Sequence, residues 1–253
     1  LKALKISSIV FVLVITGVLA FLMISAMKAP DTFMQDFRNE TAKLAKNKDI
    51  LSYPDELLEK KTSLDARLAM SDDDSIGIRI SLKDKALYLE IQGIVLHKTP
   101  IKELKTSSFF KHLSAQERYV LFSRPLAIQK DESTIEKDTW IITYAPKDTI
   151  EAAARAEIIP DTILKEPVMY RLYLEHGIRI QVTGELADTV EQFWPRMKFE
   201  YGDRINFLKA LAKNVTKKTP LPYNPTVSIL IDAKEAEAIY RAVPKNGFVI
   251  LEL

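Results

Sequence analysis

The sequence contains no cysteine. That excludes disulfides, a thiolate metal site and a cysteine nucleophile, while leaving the redox compartment open. An excess of one charge sign is missing too. The 253 residues carry a formal net charge of +2, and no basic stretch interleaved with aromatics is present, so nothing points to nucleic acid. The acidic run Ser71-Asp72-Asp73-Asp74-Ser75 has no ligand-spaced loop after it and reads as a solvated linker, not a calcium site. No cofactor is implied.

Charge is also absent from residues 6–27, which include Ile9-Val10-Phe11-Val12-Leu13-Val14-Ile15. As a helix this stretch would measure roughly 33 Å, about the thickness of a bilayer core. It is longer than a signal-peptide core, and no small-x-small cleavage site follows. The expectation is a single transmembrane helix over 6–27. Lys2 and Lys5 lie before it, whereas Lys28 is soon followed by Asp31 and Asp36. The positive-inside rule therefore leaves residues 1–5 as the cytoplasmic end and the rest of the chain on the far side.

Residues 28–75 read as a helical stalk and linker. Phe33, Phe37 and Leu44 mark one apolar face, and Asn47 to Tyr53 interrupts the pattern. Pro54 then stands as a first-turn proline before Leu57, Leu58, Leu64 and Leu68. Such stripes either pack on the chain's own domain or pair with a neighbouring subunit. Phe33 and Phe37 are thus candidate partner-binding residues.

From Ile76 the apolar period switches to two. Ile76, Ile78, Ile80 and Leu82 mark a half-buried strand, Lys83-Asp84-Lys85 a turn, and Leu87, Leu89 and Ile91 a second strand ending at Gly93. Phe109 to Leu121 reads as a short helix running into a strand. Pro125–Ile128 and Trp140–Tyr144 read as a strand pair around the charged loop Lys130–Asp138. Val168 to Gln181 is an aromatic strand, a turn at His176 and another strand. A helix from about Asp203 to Val215 follows, with Lys209, Lys213 and Lys217 as a basic stripe beside its apolar face. That stripe is either a solvated face or a docking surface for an acidic partner or anionic headgroups. Near the end, Val227–Ile231 is an apolar strand, Asp232 a good N-cap, and Ala236, Ile239, Tyr240 and Val243 one face of a helix. Pro244 and Gly247 stop it, and Phe248–Leu253 is a closing strand. The residues alone thus define an anchored, β-rich α+β domain, 76–253, behind a helical stalk.

The wording of the last segment resembles the end of the L,D-transpeptidase catalytic domain, a family that cross-links or modifies peptidoglycan. Glu235-Ala236-Glu237-Ala238-Ile239-Tyr240 and Val243-Pro244 follow the family's helix without a gap, and Gly247 to Ile250 follow its last strand. The hairpin at 76–101 and the strand ending at Gln181 are similar as well, although the family's Thr-Pro-x-Gly stretch is not found. The resemblance implies a sandwich-like β-rich fold and assigns the site by counting. Ser228 stands for the nucleophilic cysteine, Thr226 for the histidine beside it, Leu230 for the arginine and Gln181 for the general-base histidine. An amide has no accessible pKa near neutrality and cannot relay a proton. Neither Gln181 nor Thr226 can activate Ser228, and His97 and His112 lie outside the matched motifs. The resemblance therefore implies a non-catalytic domain. Set in the bacterial inner membrane with its bulk in the periplasm, it would be a subunit of an envelope protein complex. The alternatives are a peptidoglycan-binding module and a divergent enzyme that uses Ser228.

Overall fold

The computed structural model describes residues 27–39, 53–137, 167–185 and 223–253, together with single positions within 16–24 and 194–209. Among them no helix is long and apolar enough to cross a membrane. The expected span at 6–27 lies mostly outside the described residues, as does Trp140–Tyr144.

The fold is α+β, and among the described residues nine strands form one mixed sheet ordered β3-β2-β1-β9-β5-β6-β7-β8-β4. Its first half comprises β1 (Gly77–Ser81), β2 (Ala86–Ile91), β3 (Ile94–Pro100) and β9 (Phe248–Glu252). Its second half comprises β4 (Glu103–Thr106), β6 (Met169–Leu174), β7 (Arg179–Glu185) and β8 (Thr226–Asp232). Strand β5 (Leu126–Ser133) joins the halves. Leu126 and Ala127 pair with β9, and the residues from Ile128 to Ser133 pair with β6. Among the described residues β5 pairs with β9 and β6, while the expected partner at 140–144 lies outside them. The charged stretch from Lys130 to Ser133 is strand, because its alternate residues are held by cross-strand partners that local charge cannot foretell.

Period-two alternation builds the core. Ile78, Ile80, Leu87, Leu89, Val249 and Leu251 from the first half share one buried cluster with Ile180, Val182, Val227, Ile229 and Ile231 from the second. The C-terminal helix Ala233–Ala242 adds Ala236, Ile239 and Tyr240, while Asp232 accepts a hydrogen bond from the Lys234 amide at 3.0 Å as its N-cap. Gly184 lets this helix approach: a Cβ there would lie 2.8 Å from the Ala233 Cα. The 109–121 region is two short helices, Ser108–Lys111 and Ala115–Phe122, without the expected strand. Ser114 and Glu117 close a reciprocal capping box that starts the second helix.

Both stalk helices pack on the domain. Helix α1, which includes residues 27–39, buries Ala29 and Phe37. Phe33 meets Phe109 edge-on at 5.3 Å and Tyr223 at 5.6 Å, and Phe37 meets Phe109 at 5.7 Å. Phe33 and Phe37 are therefore intramolecular contacts rather than a surface offered to a neighbour. Helix α2 (Asp55–Ser71) begins one residue after Pro54, which serves as its N-cap. It buries Leu58, Thr62, Ala66 and Met70 over the outer face of the sheet. The expected leucine stripe is corrected accordingly: only Leu58 faces inward, and Leu57, Leu64 and Leu68 are exposed. A 3.6-residue period puts Thr62 and Ala66 in line with Leu58, and hydrophobicity alone does not reveal that a threonine joins the buried row. The Thr62 hydroxyl is satisfied by the Leu58 carbonyl at 2.7 Å.

Candidate functional site

Strands β7 and β8 are parallel neighbours, and their register decides which side chains meet. Arg179 lies opposite Thr226, Gln181 opposite Ser228 and Thr183 opposite Leu230. All of these are half-buried, while the alternating Ile180, Val182, Val227, Ile229 and Ile231 point into the core. The pleat thus separates an apolar inner face from a polar outer one. Counting along the sequence had assigned Gln181, Thr226, Ser228 and Leu230 to one site, and the sheet brings all four onto this one face.

On β6 the same face carries Arg171 opposite Gln181 and Tyr173 opposite Arg179. On the far side β4 sets Lys105 opposite Ser228 and Glu103 opposite Leu230. Arg179 Nε donates to the Thr226 hydroxyl at 3.2 Å, and that hydroxyl donates to the Asn224 carbonyl at 2.9 Å. The Thr226 amide donates to Ser107 Oγ at 3.2 Å, and the Ser107 amide returns a bond to the Thr226 carbonyl at 2.9 Å. Thr226 is thereby occupied as a structural link between β8 and the start of the Ser108–Lys111 helix.

Among the described residues, neither the Gln181 amide nor the Ser228 hydroxyl forms a side-chain hydrogen bond. The histidines are engaged elsewhere. His97 Nε2 meets Glu235 at 2.5 Å, and that carboxylate also accepts from the Thr99 hydroxyl at 2.9 Å. These bonds, His97's foremost, hold the Glu235 carboxyl below its usual range. His112 Nδ1 donates to the Ser108 carbonyl at 2.8 Å. His176 is exposed in the tight turn between β6 and β7 with φ 58°, as its place in the sequence predicts. A serine without a hydrogen-bonded base is a weak nucleophile.

Sequence reasoning missed Arg171. Its side chain is only 4% exposed, its Nη2 donates to the Phe199 carbonyl at 3.1 Å, and its guanidinium lies 4.0 Å over the Phe199 ring. Glu132 stands 3.7 Å from Arg171 Nη1 and accepts from Tyr173 at 3.0 Å. The polar face is thus covered at Arg171 by the stretch that holds Phe199. An arginine flanked by Tyr170 and Leu172 was the available signal, since a charge inside an apolar strand requires a partner. Lys209 is helical and exposed, while Lys213 and Lys217 lie outside the described residues. No group of His, Asp or Glu that could hold a metal ion occurs among the described residues.

Fold and site together define an α+β domain whose mixed sheet presents a polar, half-buried strand face. No family model, curated protein or solved structure matches this chain.

Proposed function

We propose that this protein is a non-catalytic, membrane-anchored subunit of a bacterial cell-envelope complex. In this reading an L,D-transpeptidase-like domain, stripped of its chemistry, is kept for assembly with other envelope membrane proteins. The observation that carries the reading is the pairing of Gln181 with Ser228 on adjacent parallel strands. The two positions that the resemblance gives to base and nucleophile are neighbours, and neither bears a group able to move a proton. The finer sandwich architecture is part of the proposal. Its support is β5, which passes from one half of the sheet to the other while both halves feed one core.

The proposed anchor is residues 6–27, with the domain in the periplasm. Phe21, Met23, Ile24 and Met27 are helical and between 52% and 71% exposed, as expected of a helix that a bilayer would cover. Leu230, in the place of an arginine, makes the site less polar and suits a protein or peptide better than a charged muropeptide. The test is mild detergent extraction followed by affinity capture, run beside binding to purified sacculi. Stable co-purification of envelope proteins with little sacculus retention is expected. Saturable sacculus binding without a protein partner would instead make the domain a peptidoglycan-binding module. Peptidoglycan cross-linking that disappears in Ser228→Ala would make it an enzyme.

A further inference from the structure

Helix α2 buries one face and leaves the opposite one apolar. Leu57, Leu64 and Leu68 are 52%, 62% and 68% exposed. At about 100° per residue they fall within an arc of about 40°, roughly 160° round the helix from the centre of the buried row Leu58, Thr62, Ala66 and Met70. Their spacing of seven and four residues is that of a heptad seam, with Leu57 and Leu64 at d, Leu68 at a and Lys61 at the remaining a position. Lys61 is drawn off the seam. Its Nζ reaches Asp65 at 2.7 Å and lies 5.4 Å from the centre of the Tyr119 ring, on the Ala115–Phe122 helix. Two charges stay unpaired. Among the described residues Arg67 forms no hydrogen bond or ion pair, its Nε is buried without an acceptor, and the carboxylate of the exposed Asp72 is equally without a partner. These two stand five residues apart in the sequence. They cannot meet on one helix, where ion pairs join residues three or four apart.

We infer that this face pairs with the same face of a second copy of the chain, the two α2 helices running parallel as a short two-stranded coiled coil. The charges select that occupant and that direction. In a parallel pair each g residue faces the following e residue of the other helix. Arg67 thereby meets Asp72 of the second copy, and Lys60 meets its Asp65, each contact occurring twice by symmetry. Lys61 and Tyr119 both reach Asp65 Oδ2, which leaves Oδ1 for the Lys60 of the other copy. An antiparallel pair would set like flanks together and bring Lys60 against Arg67. A lysine at one a position also fixes register and strand number, at a cost in stability. The buried row lies on the far side of each helix, so the two sheets stand on opposite sides of the pair and leave the seam open. Six leucines and their flanks make less than a standard interface of about 1,600 Å². The pair is therefore dissociable, and its formation rises with local concentration. It does not depend on the functional reading above, which is decided by affinity capture and sacculus binding.

The chain has no cysteine, so a single introduced thiol reports its own neighbours. In a parallel two-stranded coil each a or d residue lies beside its own counterpart, within disulfide reach. Leu57→Cys, Leu64→Cys and Leu68→Cys, made singly in the full chain, should therefore each oxidise to a linked homodimer. Glu56→Cys, exposed on the same helix but off the seam, is the control. Linkage at least about fivefold above that control is expected at all three seam positions. Adding Arg67→Glu should cut the linked fraction by about half or more, and adding Asp72→Arg as well should restore it. Recovery in the doubly reversed chain separates a lost ion pair from a lost fold. Linkage at the seam no greater than at 56 would overturn the inference. Leu57→Cys chains that link only to Leu68→Cys chains would overturn the parallel direction, and linkage indifferent to Arg67→Glu would overturn the register. Seam thiols that in native membranes link to a different protein, and not to a second copy, would overturn it in favour of a heterologous partner.

Discussion

Arg79 shows how much one residue can depend on its partners. Its Nε donates to Glu90 at 2.7 Å, its Nη1 to Glu252 at 3.0 Å, and its guanidinium lies 3.8 Å over the Tyr88 ring. Ser63 of α2 donates to the other Glu252 oxygen at 2.6 Å, so the network also fastens the helix to the sheet. Glu90 is fully buried, and among the described residues its Oε2 has no hydrogen-bond partner. Removing the arginine would strand that charge. Arg79→Met is expected to cost about 3–5 kcal/mol in urea unfolding, and the double change Arg79→Met, Glu90→Leu considerably less. A double variant no more stable than the single would show that Glu90 is not the charge at stake. Two tyrosines make a second prediction. Burial, then the nearby Tyr240, pushes the Tyr170 phenol up, and burial with the hydrogen bond to Asp131 raises Tyr240 to about 12. Unfolded tyrosines release their protons near pH 10. The folded state therefore holds protons that the unfolded state has lost, and the stability present below about pH 10 falls as pH rises toward about 12. Tyrosinate absorbance should show these two phenols ionising together with unfolding, after the exposed ones.

At the scale of elements, the strands and the last helix were legible because their signals are local. Alternation marked β1 and β2, a short apolar run marked β8, and Asp232 with Gly247 bracketed the C-terminal helix. The fate of α2 was not legible, because a helix with apolar residues on several faces does not declare which one it buries. Leu58, Thr62, Ala66 and Met70 win because they meet the sheet, with Ala66 and Met70 lying on Ile250. Leu58→Ala is therefore expected to cost about 2–5 kcal/mol, and Leu64→Ala about 0.5 kcal/mol or less. Equal losses in thermal or urea unfolding would contradict the assignment. The β4 strand escaped notice for a similar reason. Glu103–Thr106 has only four residues, two of them charged, and it becomes a strand by pairing with β8. The site positions came from a resemblance in wording, and their convergence rests on the β7–β8 register, which no window of sequence contains.

For the whole molecule the question is orientation. Lysines before the uncharged stretch favour a cytoplasmic start, and α1 carries the chain directly from that stretch onto the domain. Arg38 of α1 pairs with Glu117 at 2.9 Å, and Arg118 with Glu59 of α2 at 2.6 Å. The described parts of 28–75 are thus docked elements, not a spacer, and the domain would sit close to the bilayer. A protease added outside spheroplasts should have access to the domain and, given time, digest it. Cleavage should be slow within α1 and α2, whose backbones are protected by packing, and fast only after denaturation. Full protection in intact spheroplasts that is lost on lysis would place the domain in the cytoplasm. Rapid cuts within 27–39 or 55–71 of the folded protein would mean that these helices stand free of the domain, and the close approach to the bilayer would fail with them.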